Sequence, residues 1–204
     1  MNCSSCCFPA LTTDVEVHSL EEASSPENLI SLPLKKSRDY RSFVFIEHVD
    51  FGLLLLLAHK RNKGSHYQLP GGHIDTLEIQ HFGLKRAALI AAIREVYEET
   101  GLSFSSSPKR LIFMAFPGSP DGSLKGRFYF RVSISDSDSV NSSTSPASCI
   151  KSASGENFYL RLSDEHVGFK FEKDYRVATN DIRKHSGGKN SQALCVYYGK
   201  LRMS

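Results

Sequence analysis

Arg94-Glu95-Val96-Tyr97-Glu98-Glu99-Thr100-Gly101-Leu102 is the stretch from which the rest of the chain can be read. Wound as a helix, it puts Glu95, Glu98 and Glu99 within an arc of about 100°. Leu89, Ala92, Ile93 and Val96 fill the neighbouring arc, which can face a core. Glu95–Glu98 and Glu95–Glu99 are like-charge pairs one turn apart, and each opposes the helix by a few tenths of a kcal/mol. Gly101 reads as the residue that ends the helix in a left-handed cap, with Leu102 closing a Schellman-type contact. Glu98 and Glu99 then sit in the last turn, where the helix dipole is already negative. Arg94, one turn back from Glu98, relieves part of this and cannot neutralise three carboxylates.

Two readings fit such a cluster. One is a divalent hard cation, because Mg²⁺ accepts a few carboxylates, keeps several waters and takes its other ligands from substrate phosphates. The other is a solvated acidic face, the commoner fate of a bare Glu-x-x-Glu-Glu pattern. Upstream, Pro70-Gly71-Gly72 ends a short apolar run and leads toward the helix. Two glycines let the backbone approach a ligand closely and expose a carbonyl oxygen beside the carboxylates. In isolation the same residues read as a simple turn.

The chain has 204 residues, 25 Lys+Arg and 22 Asp+Glu, for a formal charge of +3. That length suits one domain with room for a tail. The charge balance neither requires nor excludes nucleic acid. The longest apolar run, 53–58, is far short of the roughly 20 residues a membrane helix needs. Residues 1–34 contain no Lys or Arg, which fits neither a secretory signal nor an Arg-rich transit peptide. Five cysteines, Cys3, Cys6, Cys7, Cys149 and Cys195, are an odd number and read as reduced thiols. A soluble, cytoplasmic protein is the expectation.

Residues 1–39 are rich in Ser, Glu and Pro, show no persistent period and read as a disordered tail. From Tyr40 onward the texture is that of one domain, 40–204. Apolar runs at 42–48 and 53–60 flank Val49-Asp50-Phe51-Gly52 and predict a hairpin. Further strands are expected at 66–69, 110–116, 127–134 and 157–162, and a helix at 84–100. A Ser-rich stretch at about 133–155 reads as a flexible surface insertion. Residues 174–204 are ambiguous, and 193–198 fit strand or helix. His59, His66, His73 and His81 form no H-x-x-x-H pair and read as surface or rim residues, with His66 and His73 at a pocket mouth.

Together these pieces resemble the Nudix hydrolase family. Its signature is Gly, five residues, Glu, seven residues, then Arg-Glu-U-x-Glu-Glu-x-Gly-U with U bulky and aliphatic. Gly72 and Glu78 match the first part; Arg94, Glu95, Val96, Glu98, Glu99, Gly101 and Leu102 match the second without substitution. Gly71 belongs to the lead-in, Leu69-Pro70-Gly71-Gly72-His73-Ile74. One departure stands out: 15 residues separate Glu78 from Arg94, eight more than the pattern has. The excess, within 79–86, is expected to loop out before the helix, displacing Glu78 from its usual partner, the motif arginine.

The resemblance implies an α/β (α+β) fold, a Nudix-like α/β/α sandwich around a central mixed sheet. It implies an Mg²⁺-dependent (or Mn²⁺-dependent) pyrophosphohydrolase cleaving a nucleoside diphosphate linked to another moiety, such as an ADP-ribose-like compound or a dinucleoside polyphosphate. Glu98 and Glu99, with the Gly72 carbonyl, would be the principal metal ligands, Glu95 a ligand or the base, and Arg94 the residue that orients the glutamates. Glu165, in Ser163-Asp164-Glu165-His166, resembles a downstream acid of the family and is a second base candidate; an exposed loop acid is the plain alternative. Pro117, 15 residues after Leu102, is near a proline associated with the ADP-ribose-cleaving branch. The implied partner is a nucleotide-derived small molecule; nucleic acid enters only as capped RNA, and members are often homodimers. The rival reading is a non-catalytic Nudix-fold binding module, supported only by the displaced Glu78.

Overall fold

The computed structural model describes residues 17–19, 40–60, 64–104, 108–117, 124–139, 149–153, 155, 157–183 and 188–201. Strand β1 (Val17–Ser19) lies inside the stretch read as a tail and pairs antiparallel with residues 112–114. At these three residues the tail reading is corrected. A short edge strand is held by backbone pairing, so its side chains need no periodic pattern. The rest of 1–39, with Cys3, Cys6 and Cys7, lies outside the described residues.

Strands β2 (Tyr40–His48) and β3 (Gly52–Lys60) form the expected hairpin. Their runs are nearly continuously apolar because both faces are covered. Val44 and Ile46 belong to one buried layer, Phe43 and Phe45 to the other. Then come β4 (Gly64–Gln68), β5 (Gly71–His73) and helix α1 (Thr76–Thr100). Strands β6 (Lys109–Pro117) and β7 (Leu124–Ile134) follow, then a short 3-10 turn at Asp136–Asp138. Strands β8 (Cys149–Lys151) and β9 (Tyr159–Arg161) pair with each other. The Ser-rich stretch is thus ordered at both ends, and 140–148 lies outside the described residues.

The last third differs most from the sequence reading. Strand β10 (His166–Glu172) was not anticipated, although Phe169 and Phe171 alternate with Lys170 and Glu172 as a strand requires. Helices α2 (Tyr175–Arg183) and α3 (Lys189–Leu201) end the fold, so 193–198 is helix. The main sheet runs β1-β6-β7-β2-β3-β10, with β4 on β3 and β5 on β2. The β2–β7 pair is parallel and the other pairs are antiparallel, so the sheet is mixed. Helix α1 packs on one face through Ala87, Ala88, Ala91, Ala92 and Val96; α2 and α3 cover the other through Ala178, Ile182, Ala193 and Leu194. No helix among the described residues is long and apolar enough to cross a membrane.

Helix α1 corrects two expectations. Ile93, placed on the core arc by its angle, is exposed, while Glu99, on the acidic arc, is buried. The eight-residue excess does not loop out: it is helical from Thr76, and the helix is broken at Gly83 (φ 71°, ψ 155°). The first segment is anchored by buried Ile79, and Leu84 is buried just past the break. Glu78 accepts the N–H of Asp75 at 2.9 Å, capping the start. A straight helix would set Glu78 and Arg94 about 24 Å apart along its axis. They are hydrogen-bonded at 3.0 Å, so the chain changes direction at Gly83.

Candidate active site

The site forms where β5 meets the last turns of α1. Gly71 has φ +135°, and a Cβ there would run into the backbone of Ser42 and Phe43, so only glycine lets β5 lie this close to β2. Its N–H donates to Glu99 Oε2 at 2.8 Å. At Gly72 an added Cβ would overlap the carboxylate of Glu95. The two glycines thus bring β5 backbone directly onto two of the three motif carboxylates. Ser42 Oγ donates to the Ala88 carbonyl at 2.7 Å and ties β2 to α1 beside this contact. Gly101, at φ 73°, ends the helix by donating its N–H to Tyr97 O at 2.9 Å. The N–H of Leu102 goes to Thr100 Oγ1 at 3.2 Å rather than to a helix carbonyl.

Arg94 is the hub. Its Nε donates to Glu78 Oε1 at 3.0 Å, and Nη1 donates to Glu95 Oε1 at 2.8 Å and to Glu98 Oε2 at 3.3 Å. Nη2 donates to the His73 carbonyl at 3.0 Å and lies 3.8 Å from Asp75 Oδ2. Burial works against this guanidinium, yet the carboxylates of Glu78 and Glu95 outweigh it and hold its pKa above the ordinary range. Planar, forked and permanently charged, an arginine can grip three carboxylates at fixed angles. Glu78, for its part, joins the start of α1 to the motif: one oxygen caps Asp75 and the other holds Arg94.

The carboxylates are not fully neutralised. Burial raises the pKa of Glu95, with Arg94 pulling it back down and Glu98 adding to the rise. Glu99 is pushed up to about 8, first by burial and then by the charges of Glu95, Glu165 and Glu98, against the lowering effect of the Gly71 N–H. Glu165 is exposed in the turn before β10; its charge reaches Glu99. His166 is buried beside the same carboxylate: its Nε2 is 3.7 Å from Glu99 Oε1 and 2.9 Å from Gln68 Nε2, and its Nδ1 is 3.0 Å from Ser163 Oγ.

Among the described residues no three Asp, Glu, His or Cys side chains close into a ready-made metal cage. The donor chemistry nevertheless fits a hard cation that keeps part of its own hydration. One oxygen of Glu95 and one of Glu98 are held by Arg94, and one of Glu99 by Gly71. Each carboxylate therefore keeps a second oxygen outside those bonds; the Glu95 carboxylate lies against the Gly72 backbone, and Glu98 is exposed to solvent. Mg²⁺ and Mn²⁺ favour such all-oxygen, partly aqueous sites.

The structure brings Gly71, Gly72, Arg94, Glu95, Glu98 and Glu99 together, and Glu78, expected to be displaced from Arg94, is instead bonded to it. Pro117 falls at the end of β6, with its side chain outside the described residues. His66, read as a rim residue, is buried. Three neighbours were missed: His166, which β10 sets beside Glu99, Gln68 on β4, which is bonded to His166, and Arg41, on which the charge of Glu95 acts. None has a local sequence signal. An open cavity of about 430 Å³ lies at the other end of the strands, lined by Glu47, Arg131, Lys173 and Tyr198 among others. There Glu47 is already held by Arg131 Nε and by Tyr198 OH, both at 2.7 Å.

No family model matches the chain, and no curated protein matches it. Solved structures do. A Nudix hydrolase from Nitrosomonas europaea superposes with a TM-score of 0.50 at 20% identity, over 79% of this chain and 88% of that one. An Ap4A hydrolase of C. elegans aligns at 17% identity over 79% and 98% of the two chains, with a TM-score of 0.47. The pyrophosphohydrolase BsRppH of Bacillus subtilis aligns at 18% identity over 91% of each, also with a TM-score of 0.47. The chain has the Nudix hydrolase fold, a mixed sheet between helices, and its carboxylate cluster sits on the helix that packs against one face of that sheet.

Proposed function

We propose that the protein is a divalent-metal-dependent pyrophosphohydrolase acting on a nucleoside diphosphate linked to another group. The observation that carries this reading is the clamp itself: Arg94 holds one oxygen each of Glu95 and Glu98, Gly71 holds one of Glu99, and the Glu95 carboxylate lies against the Gly72 backbone. A structural acidic face would be solvated and dispersed; here Glu95 and Glu99 are largely withdrawn from solvent, and burial raises the pKa of both.

Glu98, Glu99 and the Gly72 carbonyl would hold Mg²⁺ or Mn²⁺, with Glu95 beside them. When bound, such an ion neutralises phosphate oxygens and acidifies a coordinated water. Arg94 keeps the glutamates in one orientation, and charge-assisted bonds of this kind are both strong and directional. Glu95, with its proton affinity already raised, suits a group that takes a proton from an attacking water. Glu165, exposed in its turn, is the second base candidate. The non-catalytic alternative rested on a displaced Glu78, and the 3.0 Å bond from Arg94 removes that support.

Incubation with Mg²⁺ or Mn²⁺ and a panel of ADP-ribose, diadenosine polyphosphates, nucleotide sugars, NADH, capped RNA and oxidised nucleoside triphosphates tests this. One class should turn over, with activity abolished by EDTA and reduced at least about 100-fold in Glu98→Gln. No turnover of any compound, together with no divalent-ion shift in melting temperature, would overturn the reading.

A further inference from the structure

We propose that Gln68 and His166 are positioning residues for Glu99: Gln68 holds the His166 imidazole in the tautomer that cannot donate to Glu99 Oε1, so that this oxygen is kept for the divalent cation. The proposal rests on the hydrolase reading above and deepens it. Gln68 on β4 is the register partner of Leu56 on β3, and His166 on β10 is the partner of Ala58. Ala58 pairs with both β4 and β10, so the two strands flank β3. Paired residues share a face, and Leu56 and Ala58, two positions apart, point the same way. Leu56 belongs to the layer packed by α1, so both side chains rise on the side of the sheet that carries the glutamates. There they meet across β3, with Gln68 Nε2 at 2.9 Å from His166 Nε2.

The direction of that bond follows from its atoms. An amide nitrogen only donates, so the Nε2 lone pair accepts it. The ring proton is then on Nδ1, which donates to Ser163 Oγ at 3.0 Å. Ser163 is itself fixed to the end of α1: its N–H donates to the Glu99 carbonyl at 3.2 Å, and its own carbonyl accepts the His166 N–H at 3.0 Å. The buried imidazole is thus held at both nitrogens and links β4 to the turn before β10.

Glu99 is where this matters. Its Oε2 accepts the Gly71 N–H at 2.8 Å, whereas Oε1 makes no hydrogen bond among the described residues and lies 3.7 Å from His166 Nε2. That distance is too long for a hydrogen bond, and an Nε2 without a proton has none to give. The other tautomer would set an N–H beside the carboxylate, and a shift of less than about 1 Å would close a charge-assisted bond. Both oxygens of Glu99 would then be taken before a cation arrived. Gln68 decides which ring nitrogen carries the proton, and so decides whether Oε1 stays open to a metal ion.

The test needs no substrate. Mn²⁺ is titrated into the full chain at one fixed pH, and the unbound ion is read by electron paramagnetic resonance. Gln68→Leu should weaken Mn²⁺ binding about tenfold, because the imidazole can then take up the other tautomer and bond Glu99. Combining Gln68→Leu with His166→Phe should bring the affinity back to within about threefold of the parent, since no N–H is left to compete; a loss of packing alone would not be recovered by a second substitution. In EDTA, ¹⁵N chemical shifts of the His166 ring should report the Nδ1–H tautomer in the parent and the Nε2–H tautomer in Gln68→Leu. An Nε2–H tautomer in the parent overturns the proposal without recourse to any variant. Gln68→Leu binding Mn²⁺ like the parent, or a double variant as weak as the single one, also overturns it, and a parent that still turns over a substrate leaves the hydrolase reading standing. Mn²⁺ affinities and tautomers as expected, with turnover of no compound, would support the positioning role and count against the hydrolase reading; a parent that binds no Mn²⁺ sinks both.

Discussion

Arg94 Nε and Glu78 Oε1 are 3.0 Å apart although sixteen positions separate them. The contact crosses the helix break at Gly83 and joins the start of α1 to the motif at its end. Arg94→Lys keeps the charge and loses the fork that holds Glu78, Glu95 and Glu98 together. Turnover should fall by about 10–100-fold with little change in substrate KM, and Glu78→Gln should fall by about tenfold. Steady-state kinetics on the substrate found in the panel check both. If Glu78→Gln is indistinguishable from the parent, the contact has no part in positioning the site.

Glu99 predicts a pH dependence for the metal-free protein. Its carboxyl titrates at about 8 in the folded chain. The unfolded chain binds that proton only to about pH 4.3, the ordinary glutamate value. A folded pKa raised above the unfolded one gives stability that is complete below about 4.3 and lost as pH rises toward 8. Melting temperature in EDTA should therefore decline between pH 5 and 8. With Mg²⁺ present the decline should shrink, because the ion favours the ionised carboxylate. Glu99→Gln should flatten the EDTA profile; an unchanged slope in that variant would refute the assignment to Glu99.

The two glycines of β5 should fail differently. In Gly72→Ala the new methyl meets the Glu95 carboxylate, a side chain that can move, so the site is disturbed more than the fold. Turnover should drop about 100-fold with a melting temperature only slightly lower. In Gly71→Ala the methyl meets the backbone of Ser42 and Phe43, at φ +135°, and nothing can yield cheaply. Stability should fall by about 2–4 kcal/mol. Urea denaturation alongside kinetics separates the two.

Gly83→Ala isolates the break in α1. An added Cβ there meets no atom within 4 Å, so any cost comes from backbone conformation alone. At φ 71° and ψ 155° that cost should be about 1–3 kcal/mol. Turnover should fall as well, because a helix running straight through this point would carry Glu78 away from Arg94. Circular dichroism reporting more helix in the variant, with lower urea resistance, would be the supporting result.

From the sequence alone came the residues of the clamp, the β2–β3 hairpin and the left-handed stop at Gly101, because each is written in local spacing: like charges one turn apart, two apolar runs around a turn, a glycine after a helix. Periodicity also placed Ile93 and Glu99, and for both it was overruled, since a wheel angle says which way a side chain leaves the helix and not what stands there to cover it. Tertiary structure decided the rest. The eight extra residues became helix instead of loop because Ile79 finds a place in the core and Gly83 lets the chain turn. His166, Gln68 and Arg41 joined the site because β10, β4 and β2 carry them there from positions far apart in the chain, and no local pattern encodes which strands will be neighbours.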